Sequence, residues 1–245
     1  MPLQARERPE FDSPVHKQIY EFVERNGSVK PQDVADSLRI DPEEFHHELT
    51  ILKRDGYLVE RENRLSVVLA AGEAEEFVSD GITYKIRPAT QVDLSGILGC
   101  MRRVAEERTY LVAETVGEVL DQEGVLIRHN GVNTRMFFVA TVSDDVVGWA
   151  HLEAPSIEKL SHAAQLTVGV LGEYRRHGIG GQLLERSINW AADQSYEKVY
   201  NSIPATNQDA ARFLERHGFE TEAIRRDHYK IDDTYVAELM MARFI

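Results

Sequence analysis

The sequence predicts an α+β fold: a mixed, mostly antiparallel sheet flanked by helices, with a small helical domain ahead of it. Three observations carry that expectation. The strand-like run Leu166-Thr167-Val168-Gly169-Val170 leads through a short connection into Arg175-Arg176-His177-Gly178-Ile179-Gly180-Gly181, and a helical pattern runs on from Gln182. Two pairs of runs, 137–142 with 146–153 and 223–231 with 235–244, are joined by Ser143-Asp144-Asp145 and Asp232-Asp233, as antiparallel hairpins are. Residues 12–69 hold three helical segments and then a shorter hairpin. The expected division is therefore 1–79 and 80–245.

Composition bounds the function classes. Of 245 residues, 42% are hydrophobic, enough to fill a core. No apolar run reaches the ~18 residues of a membrane span, and residues 1–14 lack the apolar centre of a signal peptide. A cytoplasmic protein is expected. The lone Cys100 excludes an intrachain disulfide and a cysteine metal cluster, reads as buried filler, and no metal is expected. Net charge is −13: residues 1–79 carry 10 basic and 17 acidic groups (−7), residues 80–245 carry 18 and 24 (−6). Neither part is a basic nucleic-acid surface. Arginine outnumbers lysine 21 to 7, and an acidic, lysine-poor surface resembles proteins of salt-rich cytoplasm.

In the first part, Ser13-Pro14 reads as an N-cap with proline at the first helical position. Val15, Ile19, Phe22 and Val23 follow at helical spacing, and Asn26-Gly27 stops the helix. A second helix begins near Pro31 and carries Val34, Ala35 and Leu38. Asp41-Pro42 opens a third, with Glu44 placed for a capping box and Phe45, Leu49 and Leu52 facing inward. Tyr57-Leu58-Val59, the turn Arg61-Glu62-Asn63-Arg64 and residues 65–69 make the hairpin. Three helices and a two-stranded wing resemble a winged helix-turn-helix domain. DNA binding, which that resemblance implies, is opposed by Asp41, Glu43, Glu44 and Glu48 on the first turns of the would-be recognition helix, where carboxylates repel phosphates. A protein-contact or dimerisation module is favoured, and a homodimer is compatible with it. Residues 70–81, small, acidic and flanked by glycine, read as a linker.

In the second part, Tyr84-Lys85-Ile86-Arg87-Pro88-Ala89-Thr90 is the first expected strand. Leu94, Ile97, Leu98, Met101, Val104 and Ala105 mark a helix over 93–107, and a loop and short helix follow over 109–123. After the first hairpin and the glycine-rich turn, residues 198–203 form another strand. Thr206-Asn207 then leads into a helix ending at His217-Gly218-Phe219, and the second hairpin closes the chain.

A strand feeding a glycine-rich turn at a helix start is a phosphate cradle. Glycines let a ligand approach the backbone, and the free N–H groups and dipole of the first turn favour an anion. Arg175, Arg176 and His177 add positive charge. Arg175-x-x-Gly178-x-Gly180, after a Val-x-Val strand and before an amphipathic helix, resembles the acyl-CoA pyrophosphate loop of the GNAT acetyltransferases. The order of elements over 82–245 resembles their core, and the acidic composition points to archaeal, including haloarchaeal, members.

The resemblance implies a GNAT fold and acetyl-CoA as cosubstrate. It implies a splay between the strands at 166–170 and 198–203, into which the pantetheine arm fits against backbone groups of Val168, Gly169 and Val170. Residues Arg175, Arg176, His177, Gly178, Ile179, Gly180 and Gly181 would take the pyrophosphate. Asn207 would hold the CoA arm, with a helix N-cap as its alternative role. A backbone N–H near Val168 would stabilise the oxyanion of the thioester carbonyl.

The reaction implied is direct attack of a neutral amine on the thioester, helped by a base and an acid. Here the chain departs from the family pattern. Leu214 stands where a Tyr acid is usual, and Ser202 and Ala164-Gln165 stand where Glu bases occur. Glu153, His151, His162, Glu114 and Tyr229 are the candidates to replace them. Glu107 and Tyr110, like Glu114, fall where family members border the acceptor; for each of these candidates a surface or packing role is the alternative. The expected function is an acetyl-CoA-dependent N-acetyltransferase acting on a protein lysine, an N-terminus or a small amine. The alternative is an acyl-CoA-sensing regulator with little catalysis.

Overall fold

The computed structural model describes residues 9–106 and 111–245. Helix α1 (Pro14–Asn26) starts as the sequence predicts: Ser13 Oγ accepts the Val15 N–H at 3.2 Å, and Gly27 ends the helix at φ +73°. Helices α2 (Pro31–Leu38) and α3 (Pro42–Arg54) follow, the latter capped by the Asp41 carboxylate, which accepts the Glu43 N–H at 2.9 Å. Strands β1 (Leu58–Arg61) and β2 (Arg64–Val67) pair antiparallel around Glu62-Asn63, both at positive φ as a tight hairpin turn requires. Ile19, Tyr20, Val23, Val34, Leu52 and Leu65 are the most deeply buried members of a small apolar cluster formed by these elements.

Strand β3 (Glu75–Ser79) corrects the linker reading. It pairs with β4 (Ile82–Pro88) around the turn Asp80-Gly81 and forms one edge of the main sheet. A short β5 (Arg128–His129) pairs with β6 (Asn133–Val142), and β7 (Asp145–Pro155), β8 (Ala163–Val170), β9 (Lys198–Pro204), β10 (Glu220–Ile231) and β11 (Thr234–Phe244) complete the sheet. The order is β10-β11-β9-β8-β7-β6-β4-β3, and every neighbouring pair is antiparallel except β8–β9.

Four helices cover this sheet. Helix α4 (Leu94–Ala105) and α5 (Leu111–Glu123) lie on one face; α6 (Ile179–Asp193) and α7 (Gln208–Arg216) lie on the other. The assignment follows from packing: Gly96 of α4 sits against Val146, Leu183 of α6 sits against Gly148, and a bulge between them puts these two β7 residues on opposite faces. Arg87 and Asp93 close the entry to α4 with two hydrogen bonds of 2.7 Å.

Helix α1 rests on the sheet through polar contacts. Tyr20 Oη donates to the His129 carbonyl at 2.8 Å, and the buried Glu24 carboxylate accepts from Asn130 Nδ2 at 2.7 Å and meets Arg128. Residues 70–75 cross α6, where Arg186 donates to the carbonyls of Ala71 and Glu73 and pairs with Glu75, and Trp190 Nε1 donates to the Ala70 carbonyl at 2.8 Å.

Candidate active site

The parallel pair β8–β9 is hydrogen-bonded only at Ala163↔Lys198, Ala164↔Val199 and Gln165↔Tyr200. Beyond that point the strands part. The cleft between them is lined by Thr167 and Val168 on one side, Asn201 and Ser202 on the other, with Asn207 and Leu214 behind. The β9-facing edge of residues 166–170 thus lacks a β9 partner.

Strand β8 points directly into the glycine-rich turn. Gly178 is the N-cap of α6 at φ +78°, a conformation that leaves the Ile179, Gly180 and Gly181 N–H groups ahead of the first intrahelical bond, Gln182 N–H to Gly178 O at 3.0 Å. Among the described residues no side chain caps this end. Arg176, also left-handed at φ +71°, is exposed beside it. Arg175 turns inward instead: its Nε donates to the Val170 carbonyl at 2.9 Å and staples the turn to the end of β8. His177 Nδ1 lies 3.4 Å from Asp80 Oδ2, so the β3–β4 turn reaches the same place.

Two glycines of this region differ in physical role. A Cβ on Gly169 would lie 2.1 Å from the Trp149 ring, so glycine there makes room for a fully buried tryptophan. A Cβ on Gly180 would meet Phe213 and Val170 at 3.7 Å, ordinary contact. Asn207, buried, spends its carboxamide oxygen capping α7 through the Ala210 N–H at 3.1 Å, the alternative role expected for it, while also lining the cleft.

Among the catalytic candidates, the structure brings Glu153 and His151 together at the cleft's closed end. Register puts Trp149, His151 and Glu153 on the α4/α5 face, opposite Gly169, Thr167 and Gln165 of β8. Glu153 Oε1 accepts from Asn133 Nδ2 at 2.8 Å, and its Oε2 lies 3.7 Å from His151 Nε2. The His151 ring is packed on Phe137 at 4.6 Å. Burial, helped by the Arg135 charge, pushes its pKa down to about 3, so it is a neutral imidazole. Both His151 nitrogens, Trp149 Nε1, Thr167 Oγ1 and Asn201 Oδ1 are buried without a hydrogen-bond partner among the described residues. Buried polar atoms are normally satisfied, so the orphaned atoms of Trp149, His151 and Thr167, which share the α4/α5 face, mark room for solvent or ligand.

The remaining candidates are elsewhere. His162 lies at the closed end, before the three paired positions, where its carbonyl accepts the Glu197 and Lys198 N–H groups. Glu114 is exposed and faces a separate groove between α4, α5 and the β10–β11 turn, although Ala113 and Leu111 line the cleft. Tyr229 donates its phenol to the buried Glu238 carboxylate at 2.8 Å; burial and that bond raise its pKa. Leu214, at the usual Tyr position, is buried against the cleft. Glu107 and Tyr110 lie outside the described residues. Cys100 is buried, which pushes its thiol up to about 12. Among the described residues no group of three potential metal ligands occurs.

A splayed β8–β9 pair ending in a glycine-rich helix start defines an acetyltransferase domain. Residues 102–219 match the model of the Acetyltransferase (GNAT) family, and the domain is an acyltransferase that uses acetyl-CoA as cosubstrate. The chain is 29% identical over 161 residues to an N-alpha-acetyltransferase of Sulfurisphaera tokodaii, covering 61% of this chain and 87% of that one. An N-alpha-acetyltransferase of Saccharolobus solfataricus is 31% identical over 104 residues, 38% of this chain and 61% of that one. In structure, the chain resembles yncA, a putative acetyltransferase from Salmonella typhimurium solved with its cofactor acetyl-CoA, with TM-score 0.54, 18% identity, and coverage of 66% of this chain and 93% of that one.

Proposed function

We propose that the chain is an N-acetyltransferase for the α-amino group of a protein or peptide. The observation that carries this reading is the loss of β8–β9 pairing beyond Gln165 and Tyr200, with the uncapped start of α6 at the open end. The acceptor class is supported by the N-alpha-acetyltransferases to which the chain is similar.

In this reading the Ile179, Gly180 and Gly181 N–H groups and exposed Arg176 hold the pyrophosphate, and the free edge of β8 at Val168 and Val170 holds the pantetheine arm as a strand would be held. Arg175 fixes the turn rather than touching the ligand, and Gly169 accommodates Trp149. A side chain at 180 would intrude on the ligand, since the protein itself leaves room for one. Glu153, on β7 beside Gln165, supplies the base that β8 and β9 lack. Neutral His151 lies 3.7 Å from that carboxylate. His162, Glu114 and Tyr229 have no part in the chemistry; the Tyr229–Glu238 bond shapes the hairpin beside Pro204 at the cleft rim.

The N-terminal helices and hairpin form a winged-helix-like module in this reading, one that contacts protein rather than DNA, because α3 begins with Asp41, Glu43 and Glu44. The test of the function is CoA release from acetyl-CoA against peptides with free or blocked N-termini, lysine side chains and small amines. Turnover restricted to free N-termini supports the reading; turnover only with lysine or small amines overturns the acceptor, and none at all overturns the enzyme.

A further inference from the structure

Tyr200 carries the one titratable side chain at the position where β8 and β9 last pair, and sequence patterning gave no sign of it. Register sets it in one row across the sheet: Glu153 opposite Gln165, Gln165 opposite Tyr200, Tyr200 opposite Ala242. Partners in register share a face, so the phenol and the Glu153 carboxylate extend over the same side, from backbones about 10 Å apart at the usual strand spacing. Tyr200 is half-buried. Burial raises its pKa and the Glu153 charge raises it further. The other neighbours in the row, Gln165 and Ala242, are uncharged, as are Leu111 and Ala113 of α5 at the cleft.

This inference rests on the acetyltransferase reading above. A pantetheine arm that enters from the cradle beside Val170 runs toward the closed end, and its thioester stops where β8 and β9 rejoin, at Gln165 and Tyr200. We propose that Tyr200 is a catalytic residue whose phenol protonates the departing CoA thiolate, the role that Leu214 has no proton to fill. The amine nitrogen forms a bond to the thioester carbon, and the C–S bond breaks with its electron pair on sulfur. The nitrogen loses one proton to Glu153, sulfur gains the Tyr200 proton, and protonated Glu153 returns a proton to the tyrosinate. Amide and CoA thiol leave, and both side chains are reset without a further reactant. The electrostatics order the steps. While Glu153 is charged the phenol holds its proton; once Glu153 takes the amine proton that charge is gone, and the phenol becomes a stronger acid as the thiolate forms.

Tyr200→Phe keeps the ring and removes the proton. The expected result is a ~100-fold fall in kcat, within the range typical of general acid catalysis, with the amine KM and the calorimetric CoA affinity within twofold of wild type. Glu153→Gln falls comparably, and the double variant falls no further than the worse single one, as residues acting as a unit do. A Tyr200→Phe enzyme within threefold of wild-type kcat overturns the proposal. So does a fall matched by an equal loss of CoA affinity, which would show that Tyr200 only shapes the cleft. Wild-type chain that turns over no amine contradicts the acetyltransferase reading itself, is seen before any variant is compared, and takes this role with it.

Discussion

Gly169 and Gly180 lie eleven positions apart on the same strand-turn-helix unit, and the proposed CoA site gives them opposite kinds of necessity. Adding one carbon at 169 puts it 2.1 Å from Trp149 Cη2 and 2.5 Å from Cζ2 and Cζ3, on a ring with no exposed surface and no room to retreat. Overpacking of this kind costs about 1–3 kcal/mol, and a rigid buried ring places Gly169→Ala near the upper end, about 3 kcal/mol. In a chain of this size that is a fall in Tm of about 6–12 °C. At 180 the same carbon would sit 3.7 Å from Phe213 and Val170, in the first turn of α6. Alanine is the better helix former there by about 0.5–1 kcal/mol. Gly180→Ala therefore keeps Tm or raises it slightly, while the methyl group blocks the anion's approach to the helix start and weakens CoA binding at least tenfold. Thermal unfolding and CoA calorimetry on both variants separate the two effects. Gly169→Ala with an unchanged Tm, or Gly180→Ala with unchanged CoA affinity, would refute the assignment.

Glu153→Gln should lower kcat by about 10²-fold or more with little change in CoA affinity, because it removes a proton acceptor and keeps the Asn133 contact; steady-state kinetics beside calorimetry decide. Acid should destabilise the fold well above the usual carboxylate range. Folded His151 and His129 have pKa values lowered by burial to about 3 and about 4, against roughly 6.5 in the unfolded chain. Below pH ~6.5 the unfolded state takes up protons that the folded state refuses, so stability falls by about 1.4 kcal/mol per histidine per pH unit, about 4 kcal/mol for the two at pH 5. Above pH ~6.5 neither contributes. Tm measured from pH 7.5 to 5 should drop accordingly, and His151→Phe should roughly halve the slope; a flat profile would contradict the burial of both rings as neutral groups.

Much of this was legible in the sequence because it is local. Ser13-Pro14 and Asn26-Gly27 bound α1, Asp41-Pro42 opens α3, and the Arg175-to-Gly181 run after a Val-x-Val strand locates the turn that the structure places at the start of α6. The β3–β4 hairpin was misread although Asp80-Gly81 is a strong turn signal. Its first strand is so acidic and short that Phe77 alone gave an inward face, and the pairing of Phe77 with Tyr84 becomes visible only in the sheet. What lies beside Gly169 was not legible, because sequence shows that a side chain is missing and not what fills its place; Trp149 lies twenty residues earlier. Likewise, titratable character singled out His162 and Tyr229, but register sets one at the closed end of the β8–β9 pair and hydrogen bonding engages the other with Glu238. The row from Glu153 through Gln165 to Tyr200 belongs to three strands with a helix between the last two. No local spacing encodes it.

In the proposed complex, acetyl-CoA lies along the free edge of β8 with its phosphates on the start of α6. Amide hydrogen exchange with and without CoA tests it most directly. New protection is expected at residues 166–170 and 179–181, and none in α1 to α3. Protection confined to other segments, or no change at saturating CoA, would contradict it.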